Sequence, residues 1–443
     1  MDTPILDFVG RYAASETVRF HMPGHKGKGI LGCESRDITE IRGADALYEA
    51  EGIIARSEAN ATALFGSQRT VYSTEGSSQC IRAMLYLALL NRREGTPPLI
   101  VAARNVHRAF VSAAALLDAE VVWLWPEKTD SLCGCPISPE QLEGTLEGLS
   151  APPAAVYLTS PDYLGGMADI SALAEVCHRH GTLLLVDNAH GAYLRFLSPS
   201  RHPLDQGADL CCDSAHKTLP VLTGGAYLHI AERAPKALAE QAKGAMALFG
   251  STSPSYLTLA SLDGCNAELE RSFPVGLARK AEQIGTYKKG LAAAGWQVEE
   301  SDPLRLTLRA PEGVTGRELA ELLREKGMEC EYADDSFLVL MLTPANGPWD
   351  LERLRQALGK NSRPYGERER LPVPRGEQAV SIRQALFAPH ELVSAEESLG
   401  RICGAPTVSC PPAIPIAVSG ERIGEEAVAM FRRYGVTQVD VLK

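Results

Sequence analysis

Leu183-Leu184-Leu185-Val186-Asp187-Asn188-Ala189-His190-Gly191 and Asp213-Ser214-Ala215-His216-Lys217-Thr218 decide how this chain is read, with Lys217 lying 30 residues after Asp187. The first is an apolar strand ending in Asp. The second is the end of a shorter apolar strand, closed by Ser-x-His-Lys. Chemistry placed at two strand ends in this way suits pyridoxal phosphate (PLP). The lysine amine forms a Schiff base with the aldehyde, and the aspartate pairs with the pyridinium nitrogen and keeps the ring an electron sink. A lysine taken alone is a solvated surface charge; the paired strand-end setting gives Lys217 its catalytic reading.

Outward from these motifs the pattern alternates. Leu99 to Ala102, Val121 to Leu124, Ala155 to Thr159 and Leu183 to Val186 read as strands. Ala109 to Leu117, Pro139 to Leu149 and Ser171 to His180 read as helices. Continuous apolar strands separated by amphipathic helices predict a mostly parallel sheet covered on both faces. Ligands in such sheets bind beyond the carboxyl ends of the strands, where Asp187, Ser160 and Lys217 fall. Ile81, Met84, Leu85, Ala88 and Leu89 repeat with helical period, which gives one buried face. Ser73-Thr74-Glu75-Gly76-Ser77-Ser78 opens that helix. Its free N–H groups and positive dipole end suit a phosphate, although the same residues also make a plain N-cap. Arg104-Asn105-Val106-His107-Arg108 follows another strand, and an imidazole there can stack on a flat ring.

Residues 1–50 read as an irregular arm containing a basic, glycine-rich loop, Arg19 to Gly29. Residues 51–295 read as the major, PLP-binding domain, with helices following Lys217 to about residue 295. Residues 296–360 read as a small α+β domain, with a strand-helix-strand-strand-helix pattern from Leu304 to Leu358. Residues 361–443 form a C-terminal segment with a polar linker and one helix, Glu421 to Tyr434, after a proline-rich turn. The chain has 443 residues, 45% hydrophobic and 22% charged, with net charge −11. That balance argues against a nucleic-acid partner. No apolar run approaches the roughly 18 residues of a membrane helix, and no secretory signal is visible. The eleven cysteines contain no Cys-x-x-Cys pair, so they read as free thiols in a reducing cytoplasm, with no metal site.

Together the segments resemble the Orn/Lys/Arg decarboxylase family of fold-type I (aspartate aminotransferase-like) PLP enzymes. The resemblance runs over most of the chain. Its motifs are Pro23-Gly-His-Lys, Gly76-Ser-Ser, Arg104-Asn-x-His, Asp187-x-Ala-His-Gly, Ser214-x-His-Lys-Thr-Leu-Pro and the C-terminal Pro-Pro-x-Ile-Pro…Gly-Glu. It implies that Lys217 holds PLP, Asp187 pairs with the ring nitrogen, His107 stacks on one ring face and Ala189 packs on the other. It further implies that Gly76, Ser77, Ser78, Ser214 and His216 hold the phosphate, and that His190 sits near the reacting carbon or the substrate carboxylate. It implies a homodimer or higher homo-oligomer, and a short form without the N-terminal response-regulator-like domain of larger members. Departures surround the expected site: Asn188 for the usual Glu, Arg108-Ala109 for Lys-Ser, Pro161-Asp162-Tyr163-Leu164-Gly165 for Pro-Thr-Tyr-x-Gly, and Ala413 for Gly. Asp162 is a candidate partner for a distal ammonium or guanidinium, or an exposed loop carboxylate.

The activity expected is loss of CO2 from arginine, lysine or ornithine, giving the corresponding amine. Burial and a nearby cation are expected to depress the lysine pKa and free its amine. Two other readings stand beside it. One is another PLP reaction on the same fold, aminotransfer or lyase chemistry, with Arg383 or Arg401 gripping the substrate carboxylate. The other is a non-catalytic protein that keeps the PLP fold.

Overall fold

The computed structural model describes residues 1–127, 130–368, 370–408 and 415–443. Its elements run α1 (Pro4–Ala14), α2 (Ile53–Phe65), β1 (Arg69–Ser73), α3 (Ser77–Leu90), β2 (Leu99–Ala103), α4 (Arg108–Leu117), β3 (Glu120–Leu124), α5 (Pro139–Glu147), β4 (Ala155–Thr159), α6 (Ile170–Arg179), β5 (Leu183–Asp187), β6 (Leu210–Asp213), α7 (Ala215–Thr218) and β7 (Ala226–Ile230). They continue with α8 (Lys236–Ala247), α9 (Tyr256–Arg271), α10 (Phe273–Ala293), β8 (Arg305–Arg309), α11 (Gly316–Glu325), β9 (Tyr332–Ala333), β10 (Phe337–Met341) and α12 (Pro348–Leu358). The chain ends with α13 (Ile382–Leu386), β11 (His390–Ser394), β12 (Thr407–Val408), β13 (Pro415–Ala417), α14 (Glu425–Tyr434) and β14 (Gln438–Leu442).

The first seven strands form one sheet in the order β1-β7-β6-β5-β4-β2-β3. It is mostly parallel, as the alternation predicts, and helices fill the connections. β5 and β6 are parallel, with Asp187 opposite Cys212. β7 runs antiparallel to both β6 and β1. The stretch after Lys217 is therefore not purely helical. All five residues of β7 are buried, and a short strand buried on both faces carries no alternation to announce it. The arm also departs from the irregular reading, because it opens with helix α1. Asp263 explains why: its Oδ2 accepts the backbone N–H groups of Ile5 and Leu6 at 2.8 and 2.9 Å, which caps the orphan donors of the first turn.

Two compact units divide the chain. One comprises residues 1–100, 143–158 and 170–274, and the other 101–142, 159–169 and 275–443. In the first unit α3 buries Ile81, Met84, Leu85, Ala88 and Leu89, the face its period predicts. In the second, β8-β10-β9 makes a three-stranded antiparallel sheet. The order from β8 to α12 follows the strand-helix-strand-strand-helix expectation. Its helix α11 starts with a capping box, Glu318 N–H donating to Thr315 Oγ1 at 3.1 Å and Thr315 N–H to Glu318 Oε2 at 2.7 Å. The tail holds more than one helix: β11 pairs antiparallel with β14 around a core that includes Ile416, Phe431 and Val441. Residues Pro411 to Ile414 of the proline-rich motif, with Ala413, lie outside the described residues. Among the described residues no helix is long and apolar enough to cross a membrane.

Candidate active site

The first unit brings together most of the residues singled out from sequence. β5 ends at Asp187 and β6 at Asp213, with Ser214 and the single helical turn α7 directly beyond. Lys217 sits in that turn, and its Nζ lies 2.7 Å from His190 Nε2. His190 is buried. One nitrogen is thus within proton-transfer reach of the other.

Asp187 is 3% exposed, and donors surround its carboxylate. Tyr157 Oη donates to Oδ2 at 3.1 Å, Ala189 N–H to Oδ1 at 3.2 Å, and the Cys212 thiol to Oδ1 at 3.6 Å. Burial pushes both the Tyr157 phenol and the Cys212 thiol far above their ordinary values, with the Asp187 charge adding to the push. Both therefore stay protonated and remain donors. Neither residue was singled out from sequence. The available signal was a tyrosine inside the apolar strand β4, whose buried hydroxyl needs a partner.

The other end of the site is built by α3. Ser73 at the end of β1 accepts from Glu75 N–H at 3.0 Å and donates to Gln79 Oε1 at 2.6 Å, which turns the chain into the helix. Gly76 is the N-cap at φ 71°, a region that favours glycine. Its N–H donates to Gly224 O at 2.7 Å. No side chain caps the helix, so its first-turn N–H groups remain for a ligand's oxygens. Ser214 Oγ donates to Ser77 Oγ at 2.9 Å, so two hydroxyls from different strand ends meet at this helix start. His216 Nδ1 is 3.0 Å from Gly225 O. Burial lowers its pKa, so the ring is neutral and its proton is held at the carbonyl. An amine, a carboxylate and an uncapped helix start with hydroxyls form the donor set that PLP requires, and the residues present fit it.

His107 and Asp162 belong to the second unit. His107 is the N-cap of α4, its Nδ1 accepting from Ala109 N–H at 3.1 Å. Asp162 is not an exposed loop carboxylate, because it closes its own turn. Its Oδ1 accepts Gly166 N–H at 2.8 Å, and burial pushes its pKa up to about 6. Arg383 donates to Ala115 O and Leu116 O, and Arg401 to Glu391 and Leu442 O, so both arginines have structural partners. Two motifs distant in sequence meet in this unit, where Arg104 pairs with Glu421 at 2.7 and 2.8 Å.

Residues 3–283 match the family described as Orn/Lys/Arg decarboxylase, major domain. The chain belongs to the Orn/Lys/Arg decarboxylase family. As a member it is a PLP-dependent amino-acid decarboxylase of fold type I. It is 30% identical to an arginine decarboxylase of Halalkalibacterium halodurans over 464 residues, covering 97% of this chain and 93% of that one. It is 28% identical to an arginine decarboxylase of Bacillus subtilis, covering 97% and 92%. Lysine decarboxylase A from Pseudomonas aeruginosa shares its fold with a TM-score of 0.82 at 17% identity, covering 99% of this chain and 80% of that one.

Proposed function

We propose that this Orn/Lys/Arg decarboxylase removes CO2 from arginine, lysine or ornithine, arginine first, and that it works in the cytoplasm as a homodimer or higher homo-oligomer. The observation that carries the reading is the contact of Lys217 Nζ with His190 Nε2 beyond the strand end that bears Asp187. The arginine decarboxylases that match over nearly the whole chain favour a basic substrate and arginine among the three.

Bound PLP supplies the electron sink that takes the bonding pair of the leaving carboxylate. In this reading Lys217 carries the cofactor through its amine. Asp187 holds the proton on the ring nitrogen, its geometry fixed by Tyr157, Cys212 and Ala189 N–H. The α3 N–H groups with Gly76, Ser77, Ser78, Ser214 and His216 hold the phosphate. His190 moves a proton at Lys217 Nζ or near the substrate Cα, where a proton replaces the departing CO2. By the family resemblance, His107 and Ala189 would each pack against the ring.

The test is CO2 release by the PLP-loaded protein with arginine, lysine and ornithine, using Lys217→Ala as control. Release from one of them, lost in the variant, supports the proposal. Formation of a keto acid without CO2 would replace it with aminotransfer. No turnover by a protein that binds PLP through Lys217 would remove the three proposed substrates.

A further inference from the structure

Asn188, one of the departures from the family pattern, has a defined partner. It directly follows Asp187, and its Nδ2 donates to Asp213 Oδ1 at 2.6 Å. Its backbone N–H donates to Cys212 O at 3.0 Å, which extends the β5–β6 ladder by one residue. Side chains alternate faces along a strand. The pairs Asp187–Cys212 and Asn188–Asp213 are therefore successive rungs between the same two strand ends. Both Asn188 and Asp213 are 0% exposed.

The second oxygen of Asp213 accepts from His202 Nε2 at 3.0 Å and His229 Nε2 at 3.2 Å. Leu204 N–H donates to His202 Nδ1 at 3.4 Å, which leaves the ring proton on Nε2. His229 Nδ1 is 2.8 Å from Thr70 Oγ1. Burial acts to raise the Asp213 pKa, but the two imidazoles outweigh it and hold the group well below the usual carboxylate range. Asp213 is thus a buried anion with three N–H donors. His202, Cys211 and Asp213 also bring ligand atoms within 4.8 Å of one another, but the donated protons already account for the carboxylate, so no metal is needed to explain the cluster. Glutamate at 188, the residue usual in the family, would face this anion with a second carboxylate, whereas asparagine faces it with a donor. Gly191 makes room for that amide, since a Cβ there would sit 2.0 Å from Asn188 Oδ1.

We infer that the Asn188–Asp213 pair is a positioning clamp. It ties the strand end that bears Asp187, the partner of the ring nitrogen, to the strand end that bears Ser214 and Lys217, the holders of the phosphate and the aldehyde. The inference rests on the PLP roles proposed above and adds two positioning residues to them. Both act through Asp187, Ser214 and Lys217 and touch no cofactor. The clamp fixes how rigidly PLP is oriented once bound, which is separable from how stable the unit is.

The test compares Asn188→Ala and Asp213→Asn with Glu58→Gln, which breaks the buried Glu58–Lys243 pair elsewhere in the same unit. Three quantities are read on each protein: melting temperature without PLP, dissociation constant of PLP, and visible circular dichroism per bound PLP, which reports asymmetric fixing of the ring. The clamp predicts about a tenfold weaker PLP complex for the two clamp variants, the loss of roughly one charge-assisted hydrogen bond, and at least a halving of the dichroic band. Glu58→Gln lowers the melting temperature and leaves both cofactor readouts unchanged. If Asn188→Ala loses melting temperature like Glu58→Gln while its band and PLP affinity match the parent protein, the pair is only core structure and the clamp is wrong. Should Asp213→Asn fail to fold, Asn188→Ala alone decides. A parent protein that does not attach PLP at Lys217 would overturn the cofactor roles and the clamp with them, whereas normal attachment with unaltered variants overturns the clamp alone.

Discussion

Arg104 and Glu421, 317 residues apart in sequence, form a two-pronged buried ion pair, Arg104 Nη1 to Glu421 Oε1 at 2.7 Å and Nη2 to Oε2 at 2.8 Å. The guanidinium carbon also lies 4.9 and 4.5 Å from the ring centroids of Trp123 and Trp125. Glu421 Oε2 accepts Val418 N–H at 2.9 Å. The pair joins the segment that carries His107 to the C-terminal Gly-Glu motif within one unit. Removing one partner strands the other charge in a dry setting, which costs about 3–5 kcal/mol. Glu421→Ala is expected to show that loss by urea denaturation, and Glu421→Gln, which keeps an acceptor, a smaller one. A loss below about 1 kcal/mol, the range of an exposed pair, would show that water reaches the guanidinium.

Ser77 and Ser214 make a second prediction through their 2.9 Å contact. If both hydroxyls serve the phosphate of PLP, each alanine substitution weakens PLP by about tenfold, the value of a hydrogen bond to a charged group. Because the hydroxyls touch, their effects should not add. The double variant is expected to bind several-fold better than the product of the single losses implies. Equilibrium titration of the PLP-free protein checks this, and strict additivity would mean that the two hydroxyls act on separate atoms.

The residues proposed to hold the cofactor were legible because that chemistry suits strand ends. The structure places Asp187 as the last residue of β5, and Lys217 and the Gly76-Ser77-Ser78 turn just beyond β6 and β1. The support behind them was not legible. Tyr157 and Cys212 read as strand filler, and their contact with Asp187 depends on which strands lie beside β5, which a local pattern does not state. The order β6-β5-β4 supplies both. Helix α1 was missed for the same reason, since its cap, Asp263, comes from 257 residues away. β7, Ala226-Tyr227-Leu228-His229-Ile230, was missed because a short strand buried along its whole length shows no alternation of buried and exposed positions. Asn188 was seen as a departure, but its reason is Asp213, visible only once β5 and β6 pair.

His190 supports a kinetic prediction. Its Nε2 is 2.7 Å from Lys217 Nζ, close enough to take or give the amine proton. Removing a positioned general acid–base costs typically about 10²-fold or more. His190→Ala is expected to lower kcat for CO2 release by at least about 10²-fold while PLP still attaches to Lys217. The attached cofactor is checked by absorbance after dialysis. Unchanged kcat would make His190 a spacer beside the lysine.

Asp263 supports a prediction about pH. Its carboxylate accepts Ile5 N–H, Leu6 N–H and Ser57 Oγ–H, yet burial pushes its pKa from the ordinary 3.8 up to about 6. The folded state thus binds this proton more tightly than the unfolded chain does. Between pH 6 and about 4 the folded form is protonated while the unfolded form is not. The group's contribution to stability is therefore fully present below the unfolded value and is lost as pH rises through about 6. Asp263→Asn resembles the protonated form at every pH and removes this slope. Relative to the parent, the variant is expected to be more stable by about 1–3 kcal/mol at pH 7 than it is at pH 4.5. Subtracting parent from variant cancels the other titrating groups, and PLP-free protein keeps cofactor binding out of the comparison. Urea denaturation at the two pH values makes the measurement. A difference that does not change with pH, or that changes in the opposite direction, would mean that the three donors hold Asp263 ionised at or below its ordinary range and outweigh its burial.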